Sequence, residues 1–553
     1  MRLSPLLLLL LPVAAGVGCS LIVSTGGDGG ACLEGKCAPG FTCVKDRCVA
    51  SSSTRADAGT LPVEQCPQPC GPAQACFAGS CVPAGTVQGS RMIVYWPDQG
   101  ALPPQPADGL TETEIGVLVP KPNGYASYPG TFQPDGTFTI PNVPRGSRFL
   151  RVAGAKSAPT LVETSESSVD LGEDQAGRPG VTSANSETPV TLRLSGLVPL
   201  EQAGTTPLQA FSSNAGVFVL DEPALSPGAS YLEWTYDWSS SAYGLLPDGA
   251  FGDVTYVQQL KETDYGQYQV RNVVAWGQLP PGFVVNAGRS QAWDAPLQPA
   301  AQSGSLYADW RVGEFAQQLP EVNPRAERVL HLAYLDANAH RPDLWPPSGA
   351  PDLLSLSASF DPPSSAPSSL MVGPLTYGRY LPPLWKEFLA FMMQASVPFT
   401  APGANTETKV SAVSLTYRDA PAAWEILSPQ IGPVRSATVA GLTGFDPRPG
   451  VGTTPAIAWM APALGQPTSY QLTLFELLAN PADQTSVLKT ALVVALAPTT
   501  TSFRVPPGIL SLGKTYVARI SAVAQPGDTY ATAPFRGAFP YSSADCVLGP
   551  LSP

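Results

Sequence analysis

DGTFTIPNVPRGSRFLRVAG, residues 135–154, carries two turn signals and two apolar runs. Asp135-Gly136 opens a turn, and Phe138 and Ile140 then point the same way from one strand. Pro144 to Gly146 make a second turn, after which Phe149 and Leu150 begin the next strand, so the stretch reads as a β-hairpin. Similar runs occur on both sides of it: RMIVYW (91–96), IGVLV (115–119), AGVFVL (215–220), GDVTYVQQL (252–260), QYQVRNVVAW (267–276) and RVLHLAYLD (328–336). Gly (52) and Pro (61) exceed one residue in five of the 553, and both oppose long helices. Hydrophobic residues, at 44%, are ample for buried cores. The fold class expected is mainly β, with several β-sandwich domains after a small disulfide-rich pair of repeats.

The order "D-G-x-F-x-I, then P-x-G, then an apolar strand" resembles the carboxypeptidase regulatory-like, prealbumin-type sandwich, placed at residues 85–158. The resemblance implies a supporting domain and brings no catalytic residue. Nearer the C-terminus, TTPAIAWMAP (453–462), SYQLTLFEL (469–477) and SFRVPPGILSLGKTYVARISAVA (502–524) resemble a fibronectin type III domain, placed at 431–553. That resemblance maps the buried strand-B tryptophan to Trp459, the L-x-x-G-x-x-Y turn to Leu510, Gly513 and Tyr516, and strand F to Tyr516 through Val523. Tyr516 would then form a tyrosine corner. Between these regions, residues 159–190, with Glu163, Glu166, Asp170, Glu173, Asp174 and Glu187, read as an acidic exposed connection. Residues 191–430 read as an unassigned β-rich region of one or two domains. Within it PPLWKEFLAFMMQASV (382–397) reads as a helix, with Trp385, Leu389 and Met392 on one stripe.

At the N-terminus Arg2, the apolar run Leu6 to Leu11 and small residues before Cys19 read as an export signal over 1–18, too short to span a bilayer. Residues 19–31, including STGGDGG, read as a tether. Cys32, Cys37, Cys43 and Cys48 are spaced C-x4-C-x5-C-x4-C, and Cys66, Cys70, Cys76 and Cys81 are spaced C-x3-C-x5-C-x4-C. Two copies this small are expected to be stapled by disulfides, each copy with three connectivities open. Metal knuckles would use tighter pairs and histidines. The spacing over 32–84 resembles small EGF-like modules, although each copy has four cysteines rather than six. Cys19 and Cys546 remain. The segment before Cys19 resembles a bacterial lipobox lacking its Leu, which implies lipidation of Cys19 and attachment to an outer membrane or cell surface. The alternative pairs Cys19 with Cys546.

A net charge of −12 argues against nucleic acid as a partner. There are two histidines, His331 and His340, and no metalloprotease, serine-elbow or phosphate-loop motif. No cofactor, metal or catalytic residue is expected. His331 alternates with Ala333 and Leu335 as a strand residue would. A carboxylate-pair glycosidase survives only because acidic residues are plentiful. In YLEWTYDWSS (231–240) strand alternation places Trp234, Tyr236 and Trp238 on one face. Such a ladder suits stacking on a sugar, or else it is sandwich core. The function expected is a non-enzymatic, membrane-anchored surface lipoprotein, serving as a scaffold, adhesion or binding module for a glycan or protein ligand.

Overall fold

The computed structural model describes residues 41–44, 47–50, 67–122, 124–154, 157–240, 245–338, 350–382, 385–420, 424–527 and 529–553. Strands account for about 54% of the chain and helices for about 5%. The strands form four β-sandwiches, each burying its own set of alternating apolar residues.

In the first sandwich one sheet holds Ser168–Asp170, Ser80–Ser90, Thr137–Pro144 and Thr131–Phe132. The other holds Gly124–Pro129, Glu114–Lys121, Arg148–Ala153 and Thr160–Thr164. Val87, Phe138 and Ile140 from one sheet meet Val117, Leu150 and Val162 from the other. The Asp135-Gly136 turn forms as its residues suggest: Asp135 Oδ1 accepts from the Thr137 amide at 3.0 Å and hydroxyl at 2.7 Å, and Gly136 has φ 87°. The second turn does not close a hairpin. The 137–144 and 148–153 strands lie in opposite sheets, because both rows of apolar side chains must reach one core from opposite sides. Buried Arg148 fastens this crossing by donating to the carbonyls of Pro144, Gly146, Ser165 and Glu166.

Residues 159–190 are not an exposed connection. They supply Thr160–Thr164, Ser168–Asp170 and Glu173–Ala176, and the carboxylates of Glu163, Asp170, Glu173 and Asp174 are engaged while Glu166 and Glu187 are exposed. Asp170 and Asp174 each hold Arg536 at 2.8 Å, Glu173 pairs with Arg91, and Glu163 accepts from the Ala497 amide. Acidity there reflects pairing at these four positions.

Residues 189–427 form two sandwiches. The second packs Tyr231–Asp237, Pro189–Ser195 and Gln291–Pro296 onto Val217–Asp221, Leu208–Ser212, Tyr256–Asp264 and Gln269–Gln278. The third packs Leu370–Tyr377, Gly304–Trp310 and Trp424–Leu427 onto Asp352–Ser359, Glu327–Asn338, Lys386–Thr400 and Glu407–Asp419. The helix expected over 382–397 is replaced by the strand Lys386–Thr400, paired on both sides over Phe388–Gln394 and at Ser396. Leu389, Phe391 and Met393 enter the sandwich core, while Phe388, Ala390 and Met392 are buried on the opposite face. A strand buried on both faces is apolar at every position, so it imitates a helical stripe in sequence.

The fourth sandwich, from about residue 431, sets Arg435–Val439, Ala456–Met460 and Ser502–Arg504 over Ser486–Leu496, Ser469–Ala479, Thr515–Ala524 and Tyr541–Val547. One sheet of each sandwich joins its neighbour edge to edge. Thr160–Val162 pair in parallel with Val493–Ala495, Ser414–Tyr417 pair with Tyr541–Ala544, and Gln269–Asn272 pair with Leu354–Ser357. One hydrogen-bonded sheet therefore runs through the first, fourth, third and second sandwiches in that order, consuming edges that would otherwise template aggregation. Ion pairing of Arg178 with Asp253 at 2.7 Å and donation by the Asp98 amide to Asn214 bring the second sandwich back to the first.

Candidate functional site

The segment before the last long strand ties three sandwiches together. Phe535 enters the core of the first, Arg536 holds Asp170 and Asp174, and Phe539 packs on Phe388 and Tyr417 of the third. Pairing at the sheet edges and at this segment makes the head one body rather than a string of beads.

The second cysteine repeat belongs to that body. Its hairpin, Gln74–Phe77 with Ser80–Ser90, sets Cys76 opposite Cys81, and the 80–90 strand runs on across residue 84 into the first sandwich. Cys70 is bonded to Cys81, and Cys76 is also disulfide-bonded. The Tyr128 hydroxyl donates to the Cys76 carbonyl at 2.5 Å, and Ala75 lies in the sandwich core. In the first repeat Phe41–Val44 and Arg47–Ala50 pair with Cys43 opposite Cys48, the same register. Cys19, Cys32, Cys37 and Cys66 lie outside the described residues. Cys546 is a free thiol, fully buried in the core of the fourth sandwich, and burial raises its pKa.

The fibronectin-like features take their expected places. Trp459 and Leu510 are buried, Gly513 has φ 76°, and the buried Tyr516 hydroxyl accepts from the Ser511 amide at 3.0 Å. The aromatic run 231–238 behaves differently from an open ladder. Trp234 and Trp238 are 2% and 1% exposed, Tyr236 is partly covered, and all three pack on the second core. Trp234 Nε1 donates to Asp221 at 2.7 Å. Trp238 has left the strand for a short 3-10 turn. Trp234 and Trp238 are core, and no sugar can lie on them without opening the sandwich.

An aromatic face is displayed elsewhere, and sequence reading missed it. On the outer side of the three-stranded sheet of the third sandwich, Tyr307, Met371, Trp424 and Ile426 are 41%, 53%, 47% and 37% exposed. Tyr307 stands beside Trp424, and Asp309 lies between Met371 and Ile426. Asp309 pairs with Arg311 at 2.7 Å through one oxygen, while its other oxygen is buried without a partner. Trp424 and Ile426 alternate within a run of four residues, too short to announce itself as a strand.

The ionisable groups are placed for structure. His331 is buried against the rings of Trp310, Phe315 and Phe360, and desolvation lowers its pKa to about 4, which keeps it neutral. His340 lies outside the described residues. Asp336 and Asp352 face one another across the 327–338 and 352–359 strands. Desolvation raises the pKa of both, and the neighbouring Asp352 raises that of Asp336 further, as in a buried structural pair rather than an open one flanking water and a sugar. Among the described residues no group of three or more His, Cys, Asp or Glu could hold a metal, and no helix is long and apolar enough to cross a membrane. A cleft of about 460 Å³ opens between the first and fourth sandwiches, floored by the Glu114–Arg151 pair and walled by Pro129, Pro506 and Pro507.

No protein-family model matches the chain, and no curated protein matches it in sequence. Similar solved structures include the FN1-FN3 domains of chicken CNTN1, at 8% identity over 68% of this chain and 98% of that one, with a TM-score of 0.13. A Streptococcal ancillary pilin matches at 9% identity over 62% of this chain and 98% of its own, with a TM-score of 0.12.

Proposed function

We propose that this protein is a non-enzymatic surface lipoprotein, lipidated at Cys19, whose fused sandwiches form a rigid scaffold or binding head. The observation that carries this reading is the single sheet joining all four sandwiches, which suits a load-bearing or presenting role better than a moving catalytic one. Burial of the Cys546 thiol supports the lipid role of Cys19, since a disulfide between the two would require the fourth core to open. A thiol so enclosed is also inert in an oxidising compartment. Two acyl signals would hold the head stably at a membrane. Cys19→Ser should move the protein from the membrane fraction to the soluble one; retention of the variant on membranes counts against the anchor. Turnover of any substrate in a glycan and peptide panel at enzymatic rates would overturn the non-enzymatic reading.

A glycan ligand is favoured at one specific place, the Tyr307–Trp424 face. Adjacent exposed rings, Tyr307 beside Trp424, offer a stacking surface on the outer side of the sheet. Tyr307→Ala with Trp424→Ala should abolish retention on insoluble chitin, cellulose or peptidoglycan with little change in melting temperature. Undiminished retention by the double variant, or none by the natural protein, would remove this face from consideration.

A further inference from the structure

The seam between the second and third sandwiches carries a buried polar cluster that neither core uses. Asp336 and Asp352 are opposite residues on neighbouring strands of the third sandwich. Gln209 of the second donates from Nε2 to Asp352 Oδ2 at 2.7 Å and accepts from the Asp352 amide at 3.2 Å. Gln258, also of the second, donates from Nε2 to Gln209 Oε1 at 2.5 Å and to the Asp352 carbonyl at 2.8 Å. Tyr380 then donates to Gln258 Oε1. Gln209, Gln258 and Asp336 are buried, and Asp352 is partly so. The cluster sits beside the backbone pairing of Gln269–Asn272 with Leu354–Ser357, which is the seam itself.

Two carboxyl groups set opposite one another on paired strands in a buried cluster cannot both be charged at low cost, and one proton between them turns repulsion into a hydrogen bond. The surroundings assign the proton. Asp352 already accepts from Gln209 and feels Arg271, whereas Asp336 Oδ1 has no partner. Asp336 is therefore the acid that donates, and Asp352 the carboxylate that accepts.

We propose that a proton shared between Asp336 and Asp352 locks the second sandwich to the third, and that its removal loosens this seam alone. The other groups facing the pair do not supply a substitute charge. Arg271 is held by Glu222 and Glu262 at 2.8 Å each, and Tyr334, Tyr380 and Tyr417 are phenols whose pKa values burial raises. Desolvation and then the neighbouring carboxylate hold Asp336 well above the ordinary carboxylate range, and desolvation raises Asp352 as well. A group whose folded pKa is raised binds its proton more tightly in the folded state. The lock is thus complete in acid below the ordinary aspartate range, and it fades as pH rises through the raised value.

The test is amide exchange on the full chain between about pH 5 and about pH 9, corrected for the intrinsic pH dependence of exchange. Protection at 269–272 and 354–357 should fall up to about tenfold per pH unit once the proton begins to leave. Protection at 414–417 and 541–544, the seam between the third and fourth sandwiches, should stay level. Asp336→Asn supplies a permanent N–H donor to Asp352 and should abolish the alkaline loss. A level profile at 269–272 in the natural chain overturns the proposal, as does an equal loss at both seams or an unchanged alkaline loss in Asp336→Asn. Should that variant fail to fold, the comparison of the two seams in the natural chain decides alone.

Discussion

Arg148 shows how one residue can fix a topology. Its guanidinium is buried at the corner where the chain passes from one sheet of the first sandwich to the other, and it satisfies carbonyls from both sides of that corner. Arg148→Ala leaves those carbonyls buried and unpaired, so a loss of about 3 kcal/mol is expected in denaturant unfolding. Arg148→Lys should recover little of it, since a point charge cannot span two pairs of acceptors. Tyr516 carries a smaller term: Tyr516→Phe strands the Ser511 amide and should cost about 1 kcal/mol. Tyr516 was legible in sequence because its turn, Leu510 to Tyr516, is a local pattern. Arg148 was not, since its acceptors at Ser165 and Glu166 are brought to it by the fold. The 231–238 aromatics fall between the two cases. Alternation showed that Trp234 and Tyr236 share a face, but nothing local says which face is covered, because the same ring area serves a core or a ligand.

Elements were legible where one face is wet. The first half of the 137–144 strand alternates, with Phe138 and Ile140 in and Thr137 and Thr139 out, and it reads as a strand at sight. The 386–400 strand lost that signal because a second buried layer covers its other side. The distinction can be measured. Phe391→Ala opens a cavity in the third core, and Phe388→Ala opens one against Tyr417 and Phe539. Each should destabilise by about 3–5 kcal/mol. A helix or strand with one solvent face would tolerate one of the two, so a near-neutral Phe388→Ala would contradict burial on both sides. The 159–190 segment erred in the opposite direction. Carboxylates and small residues suggested a solvated connection, whereas Asp170 and Asp174 are partners of Arg536, far along the chain.

At the scale of the whole molecule, the sequence implied separate domains and the structure joins them. The pairings that do so link residues far apart in the chain, Thr160 with Val493 and Ser414 with Ala544 for example, and backbone pairing leaves no mark on composition. Each sandwich, once isolated, would expose two long strand edges, and the fused sheet removes most of them. Cooperative unfolding follows from this arrangement, because melting one sandwich uncovers an edge and part of the packing of its neighbours. Calorimetry of the natural chain should therefore give one main transition, with the calorimetric and van't Hoff enthalpies in closer agreement than independent domains would allow. The 525–540 segment is the place to break that coupling. Arg536→Ala with Phe539→Ala removes both ion pairs to the first sandwich and the ring contact with the third, while leaving each sandwich core otherwise intact. The double variant should melt in two or more resolved steps, the first sandwich separating from the rest. A natural chain that already melts in four independent steps would mean that the shared sheet transmits too little free energy to act as one body, and the rigid-head reading would fall with it.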